Sequence, residues 1–184
     1  MKMRNILIIV FMSLFLHATA DIRPHRHIFH EGRAATYING KWGLIDKSGK
    51  LIAQPIYDDI GFFSEGYAPV KLNNKWGFIN KAGGLDVKHI YDDVKIFHEG
   101  FAPVKLNNKW GFIDIKGKIL DALIYEDVRP FFCRLAAVKI NNKWGFIDRT
   151  GMIVIQPMFS NVMGGFKEDL CPVEDNEKKW GFID

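Results

Sequence analysis

Apolar and polar residues alternate strictly in short runs along most of this chain. In Tyr67–Leu72, "YAPVKL", Ala68, Val70 and Leu72 fall on one side and Pro69 and Lys71 on the other. A period of two is the pattern of a β-strand with distinct faces. Asn73-Asn74 follow, and Asn tolerates the positive φ that a two-residue hairpin turn demands. A second strand, "KWGFIN", then runs from Lys75 to Asn80. "NKAG" turns the chain again, with Asn opening and Gly closing a type I turn. The stretch "KLIAQPIYDD", Lys50 to Asp59, shows the third strand of such a unit. Each unit therefore predicts three antiparallel strands.

The unit recurs. Trp42, Trp76, Trp110, Trp144 and Trp180 are spaced by 34, 34, 34 and 36 residues, and they are all the tryptophans present. "NNKWGFI" appears unchanged at Asn73–Ile79, Asn107–Ile113 and Asn141–Ile147. Fixed spacing marks a repeat array. Helical repeats can share this period, but Asn-Asn or Asn-Gly, Trp-Gly, Gly turns and β-branched residues in every unit exclude helices. The class expected is all-β: five hairpin units over 29–184, joined by four third strands, in an open solenoid-like array. The alternative is a closed propeller-like ring, with 21–28 completing the last unit.

"KWGLIDKSGKLIAQPIYDDI" (Lys41–Ile60), with the later F-x-E-G-x-A-P-V-K, resembles the WG-repeat (KWG-repeat) family of bacterial proteins. The resemblance covers about Phe29 to Asp184. It implies an all-β repeat protein with no common catalytic activity. The chain departs from the pattern at Cys133-Arg134, which replaces Glu-Gly, and in the fifth unit, which has one extra residue on each side of its first strand. Leu44, Phe78, Phe112, Phe146 and Phe182 follow Trp-Gly, which separates the chain from the Trp-Gly-Arg domains of DNA-end binders.

A two-residue turn sets the register. Leu72 should pair with Lys75, Lys71 with Trp76, Val70 with Gly77 and Pro69 with Phe78. One face then gathers Ala68, Val70, Leu72, Gly77 and Ile79, a core face. The other gathers Pro69, Lys71, Trp76 and Phe78. Units that cannot bury their own apolar surface do so by stacking. Repeated large aromatics are core residues by rule, so packing is the expected role of the tryptophans. The competing role is an exposed ladder in which Lys71, Lys105 and Lys139 face Trp76, Trp110 and Trp144. Such a ladder would stack sugars or meet an acidic polymer. Tyr37 and Glu174 replace the lysine in the terminal units.

The chain start changes the picture of charge and compartment. Lys2 and Arg4, the apolar run Ile6–Leu16 and "ATA" at Ala18–Ala20 have the layout of a signal peptide over 1–20. The mature chain would begin at Asp21 with a lead-in over 21–28, exported to the periplasm or beyond the cell, and without a membrane span. No cysteine follows the apolar run, which argues against a lipid anchor. The formal charge falls from +4 to +2 once Lys2 and Arg4 are gone. So mild a balance gives no footprint for nucleic acid.

Cys133 and Cys171 lie in neighbouring units, and an oxidising compartment would permit a disulfide between them. Two separate thiols fit equally well, with Cys171 at the small apolar position of Ala68, Ala102 and Ala136. His25, His27 and His30 have no completing ligand set, so no metal is expected. His89 and His98 fall on repeat positions. The acidic pairs Asp58-Asp59, Asp92-Asp93 and Glu126-Asp127 suit turns. No nucleophile elbow, phosphate loop or zinc-protease motif is present, so no catalytic residue, enzyme activity or cofactor is expected. The function expected is a non-enzymatic binding or scaffold module with an unknown protein partner. The alternative is a cell-wall polysaccharide binder using the aromatic and lysine stripe.

Overall fold

The computed structural model describes residues 29–184. The signal segment 1–20 and the lead-in 21–28, with His25 and His27, lie outside the described residues. The described chain is all-β. Unit one is β1 (Arg33–Ile38), β2 (Lys41–Asp46) and β3 (Leu51–Tyr57). A short β4 (Asp59–Ile60) leads to β5 (Tyr67–Leu72), β6 (Lys75–Asn80) and β7 (Leu85–Tyr91). Then come β8 (Asp93–Val94), β9 (Phe101–Leu106) and β10 (Lys109–Asp114). Unit four is β11 (Leu135–Ile140), β12 (Lys143–Asp148) and β13 (Ile153–Phe159). The chain closes with β14 (Asn161–Val162), β15 (Cys171–Glu174) and β16 (Trp180–Ile183).

The hairpin register is the one the two-residue turn requires: Leu72 opposite Lys75, Lys71 opposite Trp76, Val70 opposite Gly77 and Pro69 opposite Phe78. Asn73 and Asn74 take φ of 51° and 63°, both left-handed, as a type I′ turn demands. At the next turn the Asp46 carboxylate accepts from the Ser48 and Lys50 amides at 2.8 and 3.1 Å. Asp114 and Asp148 do the same in their units.

The acidic pairs have two distinct tasks. The first acid, Asp58, accepts from Lys41 Nζ at 2.5 Å and from the Asn73 amide at 2.8 Å, so it ties one unit to the hairpin turn of the next. Asp92 repeats this with Lys75 and Asn107. These hydrogen bonds, with the lysine foremost, hold both carboxyls below the ordinary aspartate range. The second acid, Asp59 or Asp93, accepts from its own following amide and starts the short linker strand. That strand pairs with the next hairpin, giving the second unit a four-stranded sheet β4-β5-β6-β7.

Three of the four expected third strands form regular ladders. In unit three only the ends pair, Ile113 with Ile119 and Trp110 with Tyr125. Between them Leu123 leans over Gly111, where an added Cβ would lie 2.5 Å from Leu123 Cδ2. Leu123 packs into the core shared with unit two. Asp121, a poor strand former, accepts from the Tyr125 hydroxyl at 3.0 Å.

The sheets remain separate and none closes into a barrel. Four cores lie between successive units. In the first, Trp42, Leu44, Ala53 and Tyr57 of unit one meet Ala68, Val70 and Ile79 of unit two, with Ile60 and Phe63 of the linker between. Phe78, Val87 and Tyr91 likewise meet Ala102, Val104 and Ile113. Trp110, Phe112 and Tyr125 meet Ala136, Val138 and Ile147. Trp144 and Phe146 meet Cys171 and Val173. The aromatic face of each hairpin is thus covered by the aliphatic face of the next, as in an open array.

The glycine beside each tryptophan lies under the third strand. Between Trp144 and Phe146 the ladder shifts register, so that β13 bulges over Gly145. An added Cβ at Gly145 would meet Ile155 O at 2.5 Å and Pro157 N at 2.7 Å. Both are backbone atoms, which cannot step aside without breaking the ladder. Gly145→Ala should therefore destabilise by about 1–3 kcal/mol, read as a lower denaturant midpoint at unchanged slope. Gly181→Ala is the control, since nothing lies within 4 Å of a Cβ there.

Candidate functional site: the tryptophan grid and the surface above it

Trp42, Trp110 and Trp144 are 3–8 % exposed. Trp76 is half-buried, and Trp180 is exposed. The inner rings are core, held by the third-strand aromatic opposite each: Tyr57 faces Trp42, Tyr91 faces Trp76, and Phe159 faces Trp144. Lys71, Lys105 and Lys139 do cap their tryptophans, with Nζ 5.7, 5.8 and 5.9 Å from the ring centroids. In unit one the Tyr37 ring lies 4.9 Å from Trp42 instead.

A second tier of cations was not legible beforehand. Lys95 Nζ sits 4.9 Å from the Trp110 centroid, and the Arg129 guanidinium 4.5 Å from that of Trp144. Both come from linkers, at one repeat position. Lys95 donates to Val128 O at 2.7 Å and lies 3.8 Å from the Asp127 carboxylate. Burial holds its amine below the usual lysine range. The recurrence of a cation shortly after the acidic pair was the signal available. A cation over a tryptophan contributes about 0.5–2 kcal/mol, more when water is excluded. Here burial and capping cations leave the inner rings without the open flat face that a sugar would stack on.

The two cysteines are free thiols: Cys133 is exposed and Cys171 buried. Burial pushes the Cys171 thiol up to about 11. Cys133 lies on the turn with Arg134, both in left-handed conformation, where other units have Glu-Gly. Its Sγ approaches Phe166 O at 3.8 Å. Among the described residues no cluster of His, Cys, Asp or Glu is arranged for a metal. His30 and His98 each stack on an aromatic ring, Phe62 at 4.5 Å and Phe132 at 4.2 Å. The cleft lined by His30, Arg33 and Phe62 has a volume of about 10 Å³, room for a single water. No helix among the described residues is long and apolar enough to cross a membrane.

What the units do present outward is aliphatic. Ile56, Ile90, Ile124 and Met158 occupy one repeat position, just before the third-strand aromatic, and are 47–56 % exposed. Phe62 and Ile96 add a parallel row at another. The alternation that buries Tyr57 and Tyr91 turns their neighbours to solvent. A row of this kind, one apolar side chain per unit, is unusual on a soluble surface.

This architecture defines a tandem β-repeat protein, in which each unit contacts its neighbours. Residues 42–76, 76–110, 110–144 and 144–179 each match the family described as WG containing repeat, and the chain belongs to that family. No curated protein matches it. Among solved structures it is similar to the computationally designed Ika4 protein, at 12 % identity and TM-score 0.44, over 67 % of this chain and 88 % of that one. It is also similar to Hsv2 of Kluyvelomyces marxianus, at 13 % identity and TM-score 0.49, over 85 % and 58 %. Hsv2p of Kluyveromyces lactis gives 12 % and 0.48, over 78 % and 53 %. The chain spans less than two thirds of the length of these two Hsv2 chains.

If the inner tryptophans hold the units together, Trp110→Ala should cost about 3–5 kcal/mol. The loss should reach both neighbouring units, seen as reduced amide protection in residues 67–114 and 135–159. Native fluorescence should be blue-shifted and poorly quenched by acrylamide. An unchanged unfolding midpoint would show that the ring contributes surface, not core.

Proposed function

We propose that this chain is an exported, non-enzymatic scaffold that binds a protein partner through its repeat-built aliphatic row. The observation that carries the reading is the exposed series Ile56, Ile90, Ile124 and Met158. These side chains sit at one position of successive stacked units, and stacked sheets lie about 10 Å apart. Such a row spans a partner's apolar surface at several points while the core beneath stays rigid. Polysaccharide binding, the other reading of the aromatic stripe, draws no support from rings that are already covered.

Two experiments test the proposal. In the double variant Ile90→Asp and Ile124→Asp, both substitutions fall on exposed positions, so the melting temperature should hold. Partners crosslinked to the parent chain in the host envelope should be lost. Undiminished crosslinking, or binding to purified wall polysaccharide that Lys105→Ala weakens, would overturn the protein-binding reading. Export is tested separately. Mass spectrometry of the native protein should find its N-terminus at Asp21, and an intact N-terminus in the cytoplasm would refute it.

A further inference from the structure

The fifth unit lacks what every other unit has above its tryptophan. β16 pairs with β15 on one side, and its other edge has no strand. Trp180 is 46 % exposed and Phe182 72 %, whereas Phe112 and Phe146 at the same position are at most 2 % exposed. At the opposite end the first hairpin turns outward the face that other units press onto a preceding aromatic face. That face holds Ala34, Thr36, Ile38 and Ile45, in the positions of Ala68, Val70, Leu72 and Ile79. Ile38 is exposed, and Thr36 and Ile45 are half-buried, while Val70 and Ile79 are fully buried. One chain thus carries both halves of its own unit-to-unit interface, unused, at opposite ends.

We propose that these ends dock head to tail, so that the occupant of the Trp180–Phe182 face is the first unit of a second copy. Four cores within the chain show what such a face accepts: an aliphatic hairpin face presented in the same order. A polar rung runs beside them. The Glu31 carboxylate accepts from the Gly66 amide at 2.9 Å. Glu65 accepts from the Glu99 and Gly100 amides at 2.7 and 2.8 Å, and Glu99 from the Arg134 amide at 2.9 Å. Glu168 holds this position in the fifth unit and stands exposed. Glu31 and Gly32 of the second copy are the matching turn, with φ of 49° and 80° already set for it.

The empty third-strand edge is also provided for. In each interior interface the third strand and linker come directly before the hairpin that covers the core. In a second copy that place belongs to residues 21–28. Their "IRP" at Ile22–Pro24 repeats the aliphatic-x-Pro spacing of Ala53–Pro55 and Ile155–Pro157. The interface is heterologous, so copies add in series and do not stop at a symmetric pair. It uses neither Ile90 nor Ile124, and stands or falls apart from the partner row.

Sedimentation velocity of the full chain should show mass rising with concentration past two copies. Phe182→Glu breaks the tail and Thr36→Arg the head, so each variant alone should stay monomeric. An equimolar mixture of the two should form a one-to-one dimer and go no further, because each retains one intact end. Glu168→Lys, on an exposed turn, should raise the concentration needed by about tenfold. A chain that stays monomeric at every concentration, a parent that stops at two copies, or variants that associate like the parent would overturn the proposal. Circular dichroism of each variant confirms that a monomer is a folded one.

Discussion

The structure depends on one constraint: a two-stranded hairpin with apolar residues on both faces cannot bury either alone. Val70 and Ile79 lie on one side of the β5–β6 hairpin and Phe78 on the other, and all three are fully buried. That burial requires a unit before and a unit after. An isolated hairpin of this kind would expose two apolar faces and be at best marginal in water. Stability in such an array accumulates over interfaces, and the units fold as a set.

The other features follow from making that interface repeat. The third strand must cross Trp-Gly closely enough to lay its aromatic on the tryptophan. Glycine at 43, 77, 111 and 145 gives the room, since a methyl at any of the four would fall within 2.8 Å of a neighbouring atom. The linker must then reach the next hairpin at a fixed angle. The lysine–aspartate–amide bridges from Lys41 through Asp58 to Asn73, and from Lys75 through Asp92 to Asn107, set that angle from outside the core. These bridges are exposed and each contributes little to stability. Their effect is on geometry, because a carboxylate that accepts two donors from different units admits few relative orientations.

Much of this was legible in the residue order because it is local. Asn73-Asn74 specify a two-residue turn, the turn specifies the register, and the register places Lys71 opposite Trp76. The fold class and the unit boundaries follow from the same logic. What was not legible depends on contacts between units. Lys95 reaches Trp110 across a linker and half of the next hairpin, a proximity that no strand pairing implies. The failure of the third strand at Ile119–Tyr125 turns on where Leu123 finds space, which the neighbouring core decides. Cys133-Arg134 read as a break in the pattern. Yet the backbone adopts the left-handed pair there all the same, because the flanking strands impose it and the Arg134 amide is held by Glu99.

The same division explains where function can reside. Positions facing a neighbouring unit are constrained from both sides, so Ala68, Ala102 and Ala136 are identical while the fifth unit has only the similarly small Cys171. A binding surface cannot be built from them without loosening the stack. The outward side of the third strand carries no such demand. Its backbone is pinned by the aromatic residue that follows, so the side chain at Ile56, Ile90, Ile124 or Met158 can change without cost to the core beneath. Apolar residues at these positions do nothing for the fold, and in water they are a liability. Their presence in four successive units is explained by what they meet outside the chain, not by what they pack against within it.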